Sequence, residues 1–454
     1  MSGLNVRTLP KRFFSLSSMN LFFYLNRLNK FSLNALLGAV ETLPFFDELR
    51  IELPAHAGRL QELVQKVDSC GTTLVCFSFF TTQLWEIAAL LGELRPAAAG
   101  KVLFVAGGPH PSGDPRGTLR LGFDLVIRGE GEGTFSELLQ RLHAGEEYRT
   151  IRGLAYLDQD GTYYFTGRRP AICLDDYSPY SEKCNRFGPI EISRGCPFIC
   201  GFCQTPHLHG TRVRHRSVGV LLQHMETLVR RGLDDIRFIT PNAFSYGSAD
   251  GRQLNMAALR ALLSGARQVL GRQGRIFFGS FPSEVRPEHV TPETVALVRE
   301  FADNDNLVFG AQTGSPRMLE KCRRMHTMED VYRAARLTVE AGLEAYVDFI
   351  FGLPGEEEED IRLTMVAMQD LAKIGATVHA HTFMPLPGTP FAGASAGKVV
   401  PQMRRQMEML ISRGHAFGEW QRQQHEAERI AAYLRTEKIR EFSPCRREDV
   451  LEMI

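Results

Sequence analysis

Apolar and polar positions fall into two successive blocks, each made of strand-like runs separated by helical spacings. In the first block, Leu21–Asn26 (LFFYLN) reads as a strand, Ser32–Leu43 has helical spacing and Glu48–Glu52 is a short strand. Leu74–Phe80 (LVCFSFF) is a continuous apolar run, suited to a parallel strand buried on both faces. Gln83–Leu94 then predicts a helix, Val102–Ala106 and Leu125–Arg128 predict strands, and Thr134–His143 predicts a closing helix. Glycines follow the later strands, in Gly107-Gly108-Pro109-His110-Pro111 and Gly129-Glu130-Gly131-Glu132. This alternation implies a doubly wound, flavodoxin-like α/β domain over residues 1–150, with its ligand site at the carboxyl ends of the strands.

Residues 151–185 read as a linker with a hairpin turning at Asp158–Gly161. The second block, 186–395, offers strands at Pro189–Ser193, Ile236–Thr240, Ile276–Gly279, Leu307–Gly310, Ala345–Phe351 and Val378–Phe383. Helical stretches such as Val218–Arg231, Met328–Ala341 and Glu358–Leu371 separate them. The pattern predicts a partial (β/α)6 barrel, whose chemistry belongs in the loops after each strand. From residue 396 to 454 the chain is polar and helical.

Composition narrows the picture slightly. The 454 residues are 44% hydrophobic and 23% charged with a net charge of +1, so no global field draws in nucleic acid or an anionic membrane. No stretch reads as a membrane span. Residues 1–40 carry Arg7, Lys11, Arg12, Arg27 and Lys30 and no acid, a faint transit-peptide signature that competes with the strand at Leu21–Asn26. The nine cysteines are odd in number, with three clustered, which fits a metal site in a reducing, cytoplasmic compartment better than a disulfide framework. Cys76 and Cys322 read as small hydrophobes, while Cys70, Cys173, Cys184 and Cys445 lie at margins, linkers or the tail.

The clustered cysteines form Cys196-Pro-Phe-Ile-Cys200-Gly-Phe-Cys203, directly after the first barrel strand. Three thiolates at this spacing can hold one face of a [4Fe–4S] cube, which takes four ligands. With no fourth cysteine nearby, one iron is left for a small chelate. Spacing alone leaves zinc open, with His207 or His209 as the fourth ligand.

This segment resembles the radical S-adenosylmethionine (SAM) superfamily motif C-x3-C-x-Φ-C, with Phe202 at the aromatic place. The resemblance, which spans about residues 186–395, implies an enzyme that cleaves SAM reductively to a 5′-deoxyadenosyl radical. It also implies candidate SAM contacts at Asn242, Ser280, Glu284 and Gln312, with Asp348–Glu356 backing the adenine. Where many members carry a Gly-Gly-Glu turn, this chain has Thr240-Pro241-Asn242. Arg212, Arg214, His215 and Arg216 either order the cysteine loop, contact an anion or form a solvated face. His379 and His381 are expected on opposite faces of their strand, so that at most one enters the barrel.

The N-terminal block resembles the cobalamin-binding domain of one radical SAM subgroup, on Ser78, Gly107, Gly108 and Glu130. The subgroup's lower-axial histidine has no counterpart in Asn26–Ser32, so histidine ligation of cobalamin is not expected. The resemblance implies a [4Fe–4S] cluster, SAM and cobalamin as cofactors, and methyl transfer to an unactivated centre of a small-molecule or peptide substrate. A flavodoxin or ferredoxin would donate electrons. The alternatives are a cyclase or oxidoreductase with a vestigial cobalamin domain, or a non-catalytic sensor. A methylthiotransferase is disfavoured because the N-terminal domain lacks a second cysteine cluster.

Overall fold

The computed structural model describes residues 19–68 and 71–436; Cys70, Cys445 and the bases Arg7, Lys11 and Arg12 lie outside them. The N-terminal unit runs β1 (Met19–Phe23), α1 (Lys30–Val40), β2 (Leu49–Glu52), α2 (Ala57–Gln65), β3 (Thr73–Ser78), α3 (Leu84–Ala98) and β4 (Val102–Gly107). It continues with α4 (Pro109–Gly113), α5 (Pro115–Arg120), β5 (Leu125–Ile127), α6 (Glu132–Ala144), β6 (Leu154–Leu157) and β7 (Tyr163–Phe165). The sheet order is β2-β1-β3-β4-β5-β6-β7, parallel through β5 and antiparallel beyond it. This is the flavodoxin-like order, which opens a crevice where β1 and β3 send their connections to opposite faces. Buried residues on the two faces of β3 pack into separate cores, Val75 and Phe77 on one side and Leu74 and Cys76 on the other.

Two features of this unit depart from expectation. The hairpin at 154–165 is the antiparallel edge of the sheet. The segment after β4, for which no helix was expected, folds into α4 and α5, with Pro109 and Pro115 at first helical positions where a missing N–H costs nothing.

The second unit begins with β8 (Ile190–Glu191), β9 (Ser193–Arg194), α7 (Thr205–His209), β10 (Arg214–His215), α8 (Val218–Arg230), β11 (Asp235–Ile239), α9 (Met256–Leu270) and β12 (Arg275–Phe277). Next come α10 (Pro292–Phe301), β13 (Asn306–Gln312), α11 (Pro316–Lys321), α12 (Met328–Glu340), β14 (Glu344–Phe351), α13 (Glu358–Ile374) and β15 (Thr377–Thr382). The chain ends on α14 (Pro401–Ser412), β16 (Ala416–Phe417) and α15 (Trp420–Thr436). Parallel sheets β12-β11-β8 and β13-β14-β15-β16 are joined by a parallel bridge between Val285 and Phe309, giving a partial barrel. Its final strand, β16, comes from the extension expected to be wholly helical, and pairs with Val378 and His379 of β15.

Period-2 alternation sorts the barrel strands. Ala345, Val347, Phe349 and Phe351 of β14, with Val378 and Ala380 of β15, pack into one core with helix residues such as Leu221 and Leu262. The intervening positions, including Asp348, Ile350, His379 and His381, therefore face the barrel interior. Helix α15 runs back to the first unit, where Tyr433 joins the core between α3 and the sheet.

Candidate functional site

The cysteine loop follows β9 and is held from several directions. Cys196 N–H donates to Gly210 at 3.1 Å, Gly201 N–H to Cys322 at 3.0 Å, and Phe391 N–H to Gly201 at 3.0 Å. At Gly195 φ is +89° and a Cβ would strike the Arg212 carbonyl, so glycine is required there. Phe198 lies under the Arg286 guanidinium, 3.5 Å from its ring centroid. Arg324 donates to the Cys200 sulfur at 3.6 Å and to the Gly310 carbonyl at 2.9 Å. Two buried arginines thus stand against the loop, Arg286 and Arg324.

Burial pushes the Cys196 thiol up to about 11, and the charges of Cys203 and Cys200 add to the rise. Burial raises Cys203 as well. Cys322 is pushed up to about 12, by burial first and Cys200 second; it packs with Met318, Leu353 and Phe383 beneath the loop, as a hydrophobe.

Among the described residues, the one group of histidines, cysteines or carboxylates with ligand atoms all within 4.8 Å of one another is Asp348, His379 and His381. A single zinc ion with Zn–S bonds of about 2.3 Å would draw its sulfurs to within about 4 Å. The three cysteines are not gathered that closely. A cube takes each thiolate on a different iron atom and does not require the three sulfurs to converge on one ion.

Facing this loop, the carboxyl ends of β1, β3, β4 and β5 open onto a cavity of about 710 Å³. Ser78, Gly107, Gly108, Gly129 and Glu130 line one side; Phe202, Cys203, Thr205, Leu208 and His209 line the other. Gly108 has φ +94°, and a Cβ there would meet Ser78 Oγ at 2.9 Å and Phe79 N at 3.0 Å. Ser78 itself shares a hydrogen bond with Ser32 at 3.0 Å. A smooth, largely apolar wall with glycine at its centre fits a flat macrocycle lying on the strand ends. His110 is absent from the wall: it is buried against Thr81 Oγ1 at 3.1 Å, and burial lowers its pKa to about 4. Gln204 ties the two units together, donating to Pro387 at 2.8 Å and Pro109 at 3.4 Å.

The Glu130 carboxylate is committed elsewhere. It accepts from Arg214 Nη1 at 3.1 Å and from Ile172 N–H at 2.9 Å, with Arg194 3.8 Å away. The residue lines the cavity, and its charge also serves the seam between the units. Glu132 pairs with Arg194 at 2.7 Å; burial opposes its ionisation, but the Arg194 charge prevails and holds the carboxyl down to about 2. Arg216 and His215 order the loop too, Arg216 through the Glu191 carbonyl at 2.8 Å and His215 through Ser193 at 2.7 Å and Ser248 at 2.9 Å.

The remaining expected SAM contacts divide. Both ends of the Asn242 amide are engaged, with His289 at 2.7 Å and the Arg286 N–H at 3.2 Å, so Asn242 braces the loop after β12. The Ser280 hydroxyl is buried without a protein partner among the described residues. Gln312 ends β13 at a register shift with φ +71°, a strained conformation for a non-glycine residue. The Glu284 carboxyl is pushed up to about 7, chiefly by burial and then by the charge of Asp348. His379 and His381 both face inward, their rings 4.1 Å apart, because residues two apart share a face of a strand. The expectation that at most one enters the barrel was wrong.

Arg286, Arg324 and Gln423 were not singled out as site residues in the sequence, and His209 entered only as an alternative zinc ligand. Arg286 and Arg324 carried a weak signal, as basic residues next to barrel-top turns. Gln423 carried none, since its partners Thr382 and His381 lie 41 and 42 positions away on β15.

Comparison with known proteins agrees with this geometry. The radical SAM superfamily model matches residues 190–367, and the B12 binding domain model matches residues 30–139. Residues 190–367 thus carry a radical SAM domain, and residues 30–139 of the N-terminal unit a B12-binding domain. It is 30% identical over 299 residues to an uncharacterised methyltransferase of Pyrococcus horikoshii, covering 63% of this chain and 61% of that protein. With an uncharacterised protein of Methanopyrus kandleri it shares 26% identity over 341 residues, covering 64% and 62%. The chain thus spans about three fifths of the length of these relatives. Its fold is similar to that of TsrM, a radical SAM methyltransferase from Kitasatospora setae solved with cobalamin and a [4Fe–4S] cluster, with TM-score 0.62, 19% identity, and 85% and 80% of the two chains covered. It is also similar to OxsB, a cobalamin-dependent SAM radical enzyme, with TM-score 0.60, 17% identity, and 78% and 52% covered.

Among the described residues no helix is long and apolar enough to cross a membrane. The cofactors of these families fit the residues present. Cys196, Cys200 and Cys203 would hold the cluster, and the cavity wall around Ser78, Gly107 and Gly108 would receive the corrin.

Proposed function

We propose that the protein is a cobalamin-dependent radical SAM methyltransferase. One observation carries the reading: Phe202 and Cys203 of the cysteine loop line the same cavity as Ser78, Gly107 and Gly108 of the B12-binding domain. A corrin on the strand ends would face the cluster across that cavity. When bound, the cluster, SAM and cobalamin together supply one-electron cleavage of SAM and a transferable methyl group. The chain's own residues do the rest. Arg324 and Arg286 set the charge beside the cluster, and Ser280, Glu284 and Gln312 line the barrel mouth toward SAM. Gln204, Tyr433 and the Glu130–Arg214 pair keep the two units in register and water out of the cavity.

A reducing, cytoplasmic setting suits the oxygen-sensitive centre, with a flavodoxin or ferredoxin as electron donor. The acceptor enters the barrel, whose inner wall is polar on β14 and β15. The test uses anaerobically reconstituted protein. Four irons per chain, deoxyadenosine from SAM under dithionite, and stoichiometric hydroxocobalamin retained through gel filtration are expected. Zinc in place of iron, or a four-iron cluster with neither SAM cleavage nor corrin binding, overturns the reading.

A further inference from the structure

Asp348, His379 and His381 stand together inside the barrel, with ligand atoms all within 4.8 Å of one another, as in a divalent-ion site. The hydrogen bonds around them point elsewhere. Gln423 of α15 accepts from the Thr382 N–H through Oε1 at 2.9 Å, which orients its amide. Its Nε2 must then donate to His381 Nδ1, at 3.2 Å. His381 Nδ1 is an acceptor, so the neutral ring carries its proton on Nε2, which lies 3.9 Å from Asp348 Oδ1. A protonated nitrogen is no metal ligand.

Asp348 is acceptor-only. Burial opposes its ionisation, but hydrogen bonds from His379 and His381 hold its carboxyl below the ordinary range. His379 Nδ1, 2.9 Å from Asp348 Oδ1, is therefore the protonated nitrogen of its ring. The His379 lone pair is left on Nε2, which has no hydrogen-bond partner among the described residues. The ring is clamped by stacking on Phe417 of β16, at 4.4 Å and 14°.

We propose that His379 is a proton-accepting catalytic residue, presenting its Nε2 lone pair to the acceptor substrate, with Asp348 as its positioning residue. The proposal rests on the methyltransferase reading and deepens it by naming the acceptor's class: a molecule with an ionisable N–H or O–H. The heteroatom–hydrogen bond breaks, its electron pair stays on the heteroatom, and the proton passes to His379 Nε2. The resulting imidazolium is stabilised by Asp348, as in an Asp–His pair of a hydrolase. The acceptor's electron pair, at the heteroatom or at a carbon conjugated with it, would form the new bond to the methyl carbon. The methyl donor (a methylated corrinoid) would keep the pair of the bond that breaks, and a methylated carbon would then release its own proton to solvent. His381 and Gln423 hold the second side of Asp348, which gives the C-terminal extension a part in the barrel's chemistry.

The test is 15N NMR of the full chain without its cluster, labelled at histidine, with His379 assigned by its loss in His379→Gln. The expected spectrum shows His379 with Nδ1 protonated and Nε2 bare, and Asp348→Asn loses that fixed tautomer. Phenol, a small O–H donor, moves the Nε2 resonance upfield, while anisole, which lacks the O–H, does not. An Nε2-protonated ring, or a bare Nε2 indifferent to phenol, overturns the proposal. So does zinc that perturbs His379 and His381 together, which would make the cluster a metal site. Deoxyadenosine formation by the reconstituted wild-type protein, measured in parallel, reports on the radical SAM reading alone. If it persists while Nε2 fails to respond, only the His379 assignment falls.

Discussion

Tyr433 donates a hydrogen bond to Asp114 at 2.6 Å across 319 positions of sequence, joining the last described helix to the first domain. Asp114 also caps α5 by accepting from the Gly117 N–H at 2.9 Å. Tyr433 is buried, and burial followed by the Asp114 charge raises its phenol above the ordinary range. Helix α15 therefore acts as a strap between the barrel, through Gln423, and the B12-binding domain, through Tyr433.

A hydrogen bond to a charged partner contributes about 1.5–3 kcal/mol, so Tyr433→Phe should lose about 2 kcal/mol. Asp114→Ala should lose more, because the α5 cap goes with it. Urea unfolding midpoints measure both. Equal losses in the two variants would mean that the cap contributes nothing.

Gly108→Ala should damage the corrin site. The backbone at φ +94° is strained for alanine, and the added methyl meets Ser78 Oγ at 2.9 Å. A cost of about 1–3 kcal/mol is expected, with a matching loss of hydroxocobalamin retention in gel filtration. Gly58→Ala, in α2 with nothing within 4 Å, is the control and should be neutral or slightly stabilising.

The fold was legible where a local pattern carried it. The apolar run at Leu74–Phe80 announced a strand buried on both faces, and β3 is one. The cysteine spacing announced the loop after the first barrel strand. The sequence was silent where a distant partner decides. Glu130 reads as a cavity residue from its glycine-rich neighbours, but its carboxylate goes to Arg214, 84 positions on. Asn242 reads as a ligand contact, but a histidine from the loop after β12 takes its amide. The misplacement of His379 was of another kind: the period of 2 that puts both histidines on one face was available in the sequence and was misapplied.

Arg324 should govern retention of the iron–sulfur cluster. Its guanidinium reaches Cys200 Sγ at 3.6 Å and holds the Gly310 carbonyl at 2.9 Å. Replacing a charged hydrogen-bond donor of about 1.5–3 kcal/mol should speed cluster loss roughly 10- to 100-fold. Iron released to a chelator from Arg324→Met, against wild type and Arg324→Lys, measures it. Lysine should restore part of the retention, as a charge without the planar fork. Identical release from all three would exclude the role.

Glu284 sets a pH dependence whose sign follows from its raised carboxyl. Folded it titrates at about 7, against an ordinary 4.5, so the fold favours the protonated form. Its contribution is complete below pH 4.5 and is lost as pH rises through 7. At about 1.4 kcal/mol per unit, the loss is on the order of 3 kcal/mol. Glu284→Gln mimics the protonated form. The variant should match wild type near pH 4.5 and exceed it in stability at pH 8. Glu356, also pushed up to about 7 by burial, titrates in both proteins and cancels in the difference. Parallel urea titrations at pH 5 and pH 8 decide, and a constant difference would refute the assignment.

The seam between the two units turns on Arg194, which is buried among Glu132, Glu191 and Glu130, with Glu132 at 2.7 Å. Removing one partner of a buried pair leaves a charge uncompensated, at a cost of about 3–5 kcal/mol. Glu191 and Glu130 remain beside Arg194 in Glu132→Gln, so that variant should fall toward the lower end. Arg194→Met removes the only cation that faces Glu132 directly among the described residues, and should cost more. The Glu132 carboxyl is held down to about 2, so its contribution is present above pH 4.5 and fades as pH falls toward 2. Wild type should therefore lose its margin over Glu132→Gln on acidification. Midpoints measured from pH 7 down to pH 3 should converge, whereas a margin unchanged across that range would place the stabilisation in packing and not in the ion pair.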